Sequence, residues 1–143
     1  MYRKILVALE NGSADERLLE HVEVLARQLD AALVLLHVAD GWAARNFEQL
    51  ELVESDEMKA DSKYLENTAA QLRAAGLRVE ALLALGNPPD EILRVAAESG
   101  CDLIALASHG HKLIGSIVHG STIDKVRHHT TITLLVIGAA KAP

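Results

Sequence analysis

Short, unbroken apolar runs alternate with amphipathic stretches along the chain, and this alternation narrows the possible folds more than any other feature. Ile5–Leu9 (ILVAL), Ala32–Val38 (ALVLLHV), Cys101–Ala107 (CDLIALA) and Thr131–Ile137 (TITLLVI) are four such runs. Leu77–Leu85 alternates imperfectly but is apolar enough to be a fifth, third in chain order. Runs this short and this apolar are strands covered on both faces, as in a parallel sheet. The segments between them carry helical signals. Ser13-Ala14-Asp15-Glu16 has the form of a capping box, with Ser13 as N-cap and Glu16 reaching back, ahead of an apolar stripe at Leu18, Val22, Leu25 and Leu29. Met58, Leu65 and Leu72 recur every seven residues with Ala69 between them, predicting a second helix that stops at Gly76. Ahead of it, Asp40, Gly41 and Asn46 mark a loop, and Phe47–Glu57 reads as either helix or loop. Asn87-Pro88-Pro89-Asp90-Glu91 opens a third helix with a capping Asn and prolines in the first turn, buries Ile92, Val95 and Ala96, and ends at Gly100.

The resulting order is β-α-β-α-β-α-β-α-β. With right-handed crossovers it gives a doubly wound α/β sheet with helices on both faces. At 143 residues the chain fits one compact domain spanning 1–143. In such sheets ligands sit beyond the strand C-termini, where the winding direction reverses. The loops after strands 1, 2 and 4 are therefore the candidate site.

Composition narrows the function classes. Half of the residues are hydrophobic but only 3% are aromatic, so the core is aliphatic. The formal net charge of −6 argues against a protein that grips a nucleic-acid backbone. A single cysteine, Cys101, leaves no internal disulfide and no cysteine-rich zinc framework, and reads as a small apolar core residue. With no leader-like stretch and no apolar run near membrane-spanning length, the expectation is a cytoplasmic protein without a membrane partner.

After strand 4 the chain reads Ala107-Ser108-His109-Gly110-His111-Lys112-Leu113-Ile114-Gly115-Ser116-Ile117-Val118-His119-Gly120-Ser121-Thr122. Glycines let backbone N–H groups approach a ligand, and a helix start supplies unpaired N–H groups with a favourable dipole. This is the chemistry of a phosphate cradle. Five of the seven histidines, His109, His111, His119, His128 and His129, fall in the last third. They have no cysteine partners and no convergent spacing, which favours structural or solvated roles over a zinc site. His128 and His129 suit the negative end of a helix, and His37 reads as a core or rim histidine.

This segment resembles the universal stress protein family, in particular its nucleotide-binding branch. That branch is marked by Gly, two residues, Gly, nine residues, Gly and a hydroxyl residue. Gly110, Gly120 and Ser121 match the pattern, Ala107 stands in place of the first glycine, and Leu113 replaces a glycine often found there. Lys4–Leu9 with Glu10, Leu35-Leu36-His37-Val38 and Gly86-Asn87-Pro88 extend the likeness over nearly the whole chain.

The resemblance implies a five-stranded parallel sheet in order 3-2-1-4-5, similar to the adenine nucleotide alpha hydrolase fold. It also implies a stress-response sensor or regulator that binds ATP, ADP or AMP, with or without Mg. Carried over residue by residue, Val38 would contact adenine through its backbone, while Ala8, Leu9 and Glu10 would line the base and ribose. Gly110, Gly120, Ser121 and Thr122 would hold phosphates. Ala107, His109 and His111 would border the cradle, with Lys112 as a further source of charge. Other readings stand beside these: Ser121 with Asp124 is also a helix-capping pair, Glu10 a solvated carboxylate, and Lys112 an exposed charge. No nucleophile–base–orienter set can be assembled, so catalysis is expected to be absent or limited to slow ATP hydrolysis. The alternatives are a dimeric interaction module without nucleotide, or a weak ATPase. Strand 5 carries no charge or proline to guard an open edge, and family members resembling this one dimerise there; a homodimer through Thr131–Ile137 is expected, with any further protein partner unknown.

Overall fold

The structure, a computed structural model, describes residues 1–39, 56–108 and 122–138. Its elements are β1 (Lys4–Leu9), α1 (Ala14–Leu29), β2 (Ala32–Ala39), α2 (Asp56–Ala74), β3 (Val79–Leu85), α3 (Pro88–Glu98), β4 (Leu103–Ala107), α4 (residues 122–129) and β5 (Thr133–Ile137). Of the ambiguous stretch Phe47–Glu57, residues 47–55 lie outside the described residues and 56–57 open α2. The five strands form one sheet in the order β3-β2-β1-β4-β5, and every neighbouring pair is parallel.

Alternate side chains of each strand feed two separate cores. On one face Ile5, Val7 and Leu9 of β1 join Leu33 and Leu35 of β2 and Ala105 of β4. They pack under Leu18, Val22 and Ala26 of α1 and Leu65, Ala69 and Leu72 of α2. On the other face Leu6, Val34, Leu36, Ile104 and Leu106 pack under Ile92, Val95 and Ala96 of α3 and Val126 of α4. Burial on both faces is why these strands read as continuous apolar runs.

At the N-terminal end of the sheet, Asp102 accepts the backbone N–H groups of Arg3 and Lys4, fastening the entry of β1 to that of β4. Desolvation works to raise the pKa of this carboxyl, but the backbone hydrogen bonds outweigh it and hold the group below its ordinary value. Three strands begin two residues later than the apolar runs that signal them. Leu77 and Cys101 are nevertheless buried, because the chain is already in the core before the ladder starts.

Helix ends divide into one expected and one corrected. Asn87 has extended backbone and its side chain accepts the Asp90 N–H at 3.3 Å, as its position before two prolines suggests. Ser13 occupies the N-cap of α1 but makes no side-chain cap bond. Its backbone is already helical (φ −63°, ψ −23°), so its hydroxyl is not aimed at the first-turn amides. Replacing Asn87 by Ala should therefore cost about 1 kcal/mol, whereas Ser13→Ala should stay within about 0.5 kcal/mol. Urea denaturation of both variants checks this, and equal losses would contradict the assignment of the two caps.

Candidate functional site

The order β3-β2-β1-β4-β5 places the reversal of winding between β1 and β4. The register Val7↔Ala105 lets both strands end two residues further on, at Leu9 and Ala107; in doubly wound sheets the ligand crevice lies beyond such a pair. On the β2 side, the last rung with β1 is Leu9↔His37. Pairing with β3 continues through Val38↔Ala84 and Ala39↔Leu85. Val38 thus stands beyond the end of the β1 ladder.

The sheet brings several predicted residues together. Ala8 and Val38 are partly buried and pack on the face covered by α3 and α4, leaving apolar surface at the strand ends. Thr122 lies at the start of the described part of α4, whose Ile123 and Val126 pack on that same face. Leu9 and Ala107 point the opposite way, into the α1-side core. Ala107 is 8% exposed there, so the methyl group that replaces the family's glycine is taken up by the core. Glu10 follows Leu9 and is half-buried. His109, Gly110, His111, Lys112, Leu113, Gly120 and Ser121 lie outside the described residues.

Sequence reasoning missed the polar network beneath Glu10. Asp15, 1% exposed, accepts the Glu10 N–H on Oδ1 at 2.9 Å, and on Oδ2 it accepts the Asn11 N–H at 2.7 Å and the Tyr64 hydroxyl at 3.1 Å. A buried carboxylate needs such donors to offset its lost hydration. Asn11 adopts a left-handed backbone (φ 60°), which asparagine tolerates better than most residues. Its Nδ2 donates to Asp61 Oδ1 at 2.6 Å. Facing a carboxylate with the amide nitrogen leaves Asn11 Oδ1 buried without a partner among the described residues.

His37 completes the group. Its Nδ1 lies 2.9 Å from the Leu9 carbonyl, which can only accept, so the ring donates there. Nε2 lies 3.3 Å from Asp61 Oδ2. The rim reading of His37 agrees with this placement. The signal that would have revealed the network is the polar series Asp61, Tyr64 and Thr68, spaced three and four residues apart on the buried side of α2.

Burial, the Asp15 charge and the hydrogen bond to Asp15 push Tyr64 up to about 12, against the opposing effect of Thr68, so its hydroxyl keeps the proton it donates. Burial pushes the Cys101 thiol up to about 11, which suits an inert core residue. At the C-terminal end of α4, His129 Nδ1 lies 2.8 Å from the Lys125 carbonyl, where a donor satisfies a helix-end acceptor.

The sequence profile of the universal stress protein family matches residues 1–138. The chain belongs to this family. Among relatives, the universal stress protein MJ0577 of Methanocaldococcus jannaschii is 27% identical, with 96% of this chain and 95% of the relative covered. Its solved structure superposes with a TM-score of 0.83, covering 99% of each chain. A universal stress protein from Archaeoglobus fulgidus, solved in complex with dAMP, gives a TM-score of 0.69 at 23% identity over 95% of this chain and 98% of that one. Another family member, solved in complex with cAMP, gives 0.70 at 18% identity over 97% and 98%. At these two identities the likeness shows the fold.

A phenol with a folded-state pKa near 12 binds its proton more tightly than one at the ordinary value of 10.0. Its contribution to stability is complete below about pH 10 and is lost as pH rises toward about 12. Denaturation midpoints measured at pH 9 and pH 11.5 should fall more steeply for wild type than for Tyr64→Phe. Parallel falls would contradict the Asp15–Tyr64 bond.

Proposed function

We propose that this universal stress protein binds an adenine nucleotide, ATP or its relatives ADP and AMP, in the crevice beyond β1 and β4. In this reading it acts in the cytoplasm as a sensor or regulator of the stress response. The observation that carries the reading is the partly exposed apolar surface of Ala8 and Val38 at the strand ends, on the face from which α4 departs. A flat apolar floor suits a purine, and a glycine-rich entry to a helix suits the phosphates that would follow. The family members solved with dAMP and cAMP support the same ligand class.

In this reading the Val38 main chain recognises adenine, and Ala8, Leu9 and Glu10 line the base and ribose. Gly110, Gly120, Ser121 and Thr122 take the phosphates, with Ala107, His109 and His111 at the border. A magnesium ion fits only in part. Hard oxygen ligands are required, and among the described residues no three metal-ligating side chains cluster. Asp15 and Asp61 are already engaged by internal donors. In the reading carried over from the family, Glu10 is the carboxylate nearest such an ion. Binding and signalling follow from a cradle alone; hydrolysis also demands a positioned water and charge stabilisation at the γ-phosphate. Titration calorimetry on nucleotide-stripped protein should give saturable binding of ATP or AMP. Heat-silent titrations with ATP, ADP and AMP would overturn the reading in favour of a dimeric interaction module.

A homodimer through Thr131–Ile137 is proposed on a separate observation. β5 is an edge strand, its Val136 is 43% exposed, and a groove of ≈ 520 Å³ flanks it, lined by Val24, Leu25, Leu135 and Ile137 together with the polar Glu20, His21 and Gln28. Unpaired edges with apolar side chains favour strand addition. Among the described residues, no helix is long and apolar enough to cross a membrane. Light scattering at micromolar concentration should report a dimer for wild type and a shift to monomer for Val136→Lys. A wild-type monomer would contradict the pairing.

A further inference from the structure

His37 lies buried near the end of β2 and is held from two sides. Its Nδ1 is 2.9 Å from the Leu9 carbonyl of β1, and its Nε2 is 3.3 Å from Oδ2 of Asp61 on α2. A carbonyl oxygen only accepts, so the proton of a neutral ring sits on Nδ1. Nε2 would then turn a lone pair toward a carboxylate oxygen that has only lone pairs to offer. The contact becomes attractive when Nε2 carries a proton as well. Imidazole is the stronger base of the two groups, so that proton rests on the ring and the pair is imidazolium and carboxylate.

Asp61 is engaged on its other oxygen too. Oδ1 accepts Asn11 Nδ2 at 2.6 Å, so one carboxylate joins α2 to the turn after β1 and to β2. Among the described residues, the other ionisable groups on the elements around His37 are Tyr64 of α2, Asp15 of α1 and Glu10 after β1. Asp15 takes up the Glu10 and Asn11 amides and the Tyr64 hydroxyl, and β3 sets the apolar Leu83 beside the histidine. Lys59 and Lys63 of α2 are exposed. Histidine is the side chain whose ordinary charge change falls between about pH 5 and 8.

We propose that His37 and Asp61 form a proton-dependent latch: the charged ring fastens α2 to the ends of β1 and β2 in mild acid, and loss of the Nε2 proton opens this fastening in mild alkali. The Nδ1 bond to Leu9 is kept in both states, so the ring stays in place and only its α2 side changes. The latch stands apart from the nucleotide reading and holds whether or not a ligand binds.

Two measurements on the full chain test it. Long-range ¹H–¹⁵N correlation spectra should show both His37 ring nitrogens protonated at about pH 5.5 and Nδ1 alone at about pH 8.5. Asp61→Asn supplies the comparison for hydrogen exchange. Its side-chain oxygen still accepts from Asn11 while its NH₂ group donates to an unprotonated Nε2, so the latch stays shut without the extra proton. The ratio of exchange rates at the α2 amides around Asp61, wild type over Asp61→Asn, should rise at least about threefold between about pH 5.5 and about pH 8.5; the intrinsic pH dependence of exchange cancels in the ratio.

Should Asp61→Asn not fold, His37→Asn takes its place. It keeps a donor toward Leu9 and has no Nε2, and the ratio should rise in the same direction. A His37 ring that carries the same protons at both pH values, or a ratio that does not rise while the ring titrates, would overturn the latch.

Discussion

The double pairing of β1, with β2 on one side and β4 on the other, is the constraint from which the rest of the structure follows. Ile5, Leu6 and Val7 are fully buried between two helical layers, and their backbone groups are taken up by parallel neighbours. Because all five strands run the same way, their C-terminal ends collect at one side of the sheet. β1 and β4 lead into connections that travel in opposite directions, so the chain parts between them. The crevice is thus a consequence of topology, and its floor is whatever side chains the last residues of β1, β2 and β4 supply.

The order of elements was legible because each element announces itself locally, whereas the strand order 3-2-1-4-5 came from the resemblance to the family. The apolar strands follow from burial on both faces, and the stripe Leu65, Ala69 and Leu72 is the face of α2 that enters the core. Gly76 and Gly100 both adopt the positive φ expected of helix-ending glycines. The network around Asp15 was not legible, because its meaning depends on where Tyr64 and Asp61 arrive after α2 has packed. Ser13-Ala14-Asp15-Glu16 satisfied a sequence rule for a capping box, yet the residue with structural weight is Asp15, which bonds backward to the turn instead of along the helix. The spacing of Gly110 and Gly120 was readable as a pattern, and the structure describes the two ends of that segment, Ala107–Ser108 and Thr122.

The distribution of acids around the crevice gives the site its character. Asp15 is enclosed by three donors, and Asp61 is shared between Asn11 and His37, so both are bound into the scaffold. Glu10 is the acid placed where β1 gives way to the crevice. One helix, α2, contributes both anchors of the turn that carries it.

The central claim is that the strand-end crevice receives an adenine nucleotide whose phosphates reach the Gly110–Gly120 segment. Amide chemical-shift mapping of isotopically labelled protein during an ATP titration tests it most directly. The account predicts saturable shifts at Glu10, Val38, Gly110, Gly120 and Ser121. Shifts confined to α1 and β5, or no shifts at saturating ATP, would contradict it.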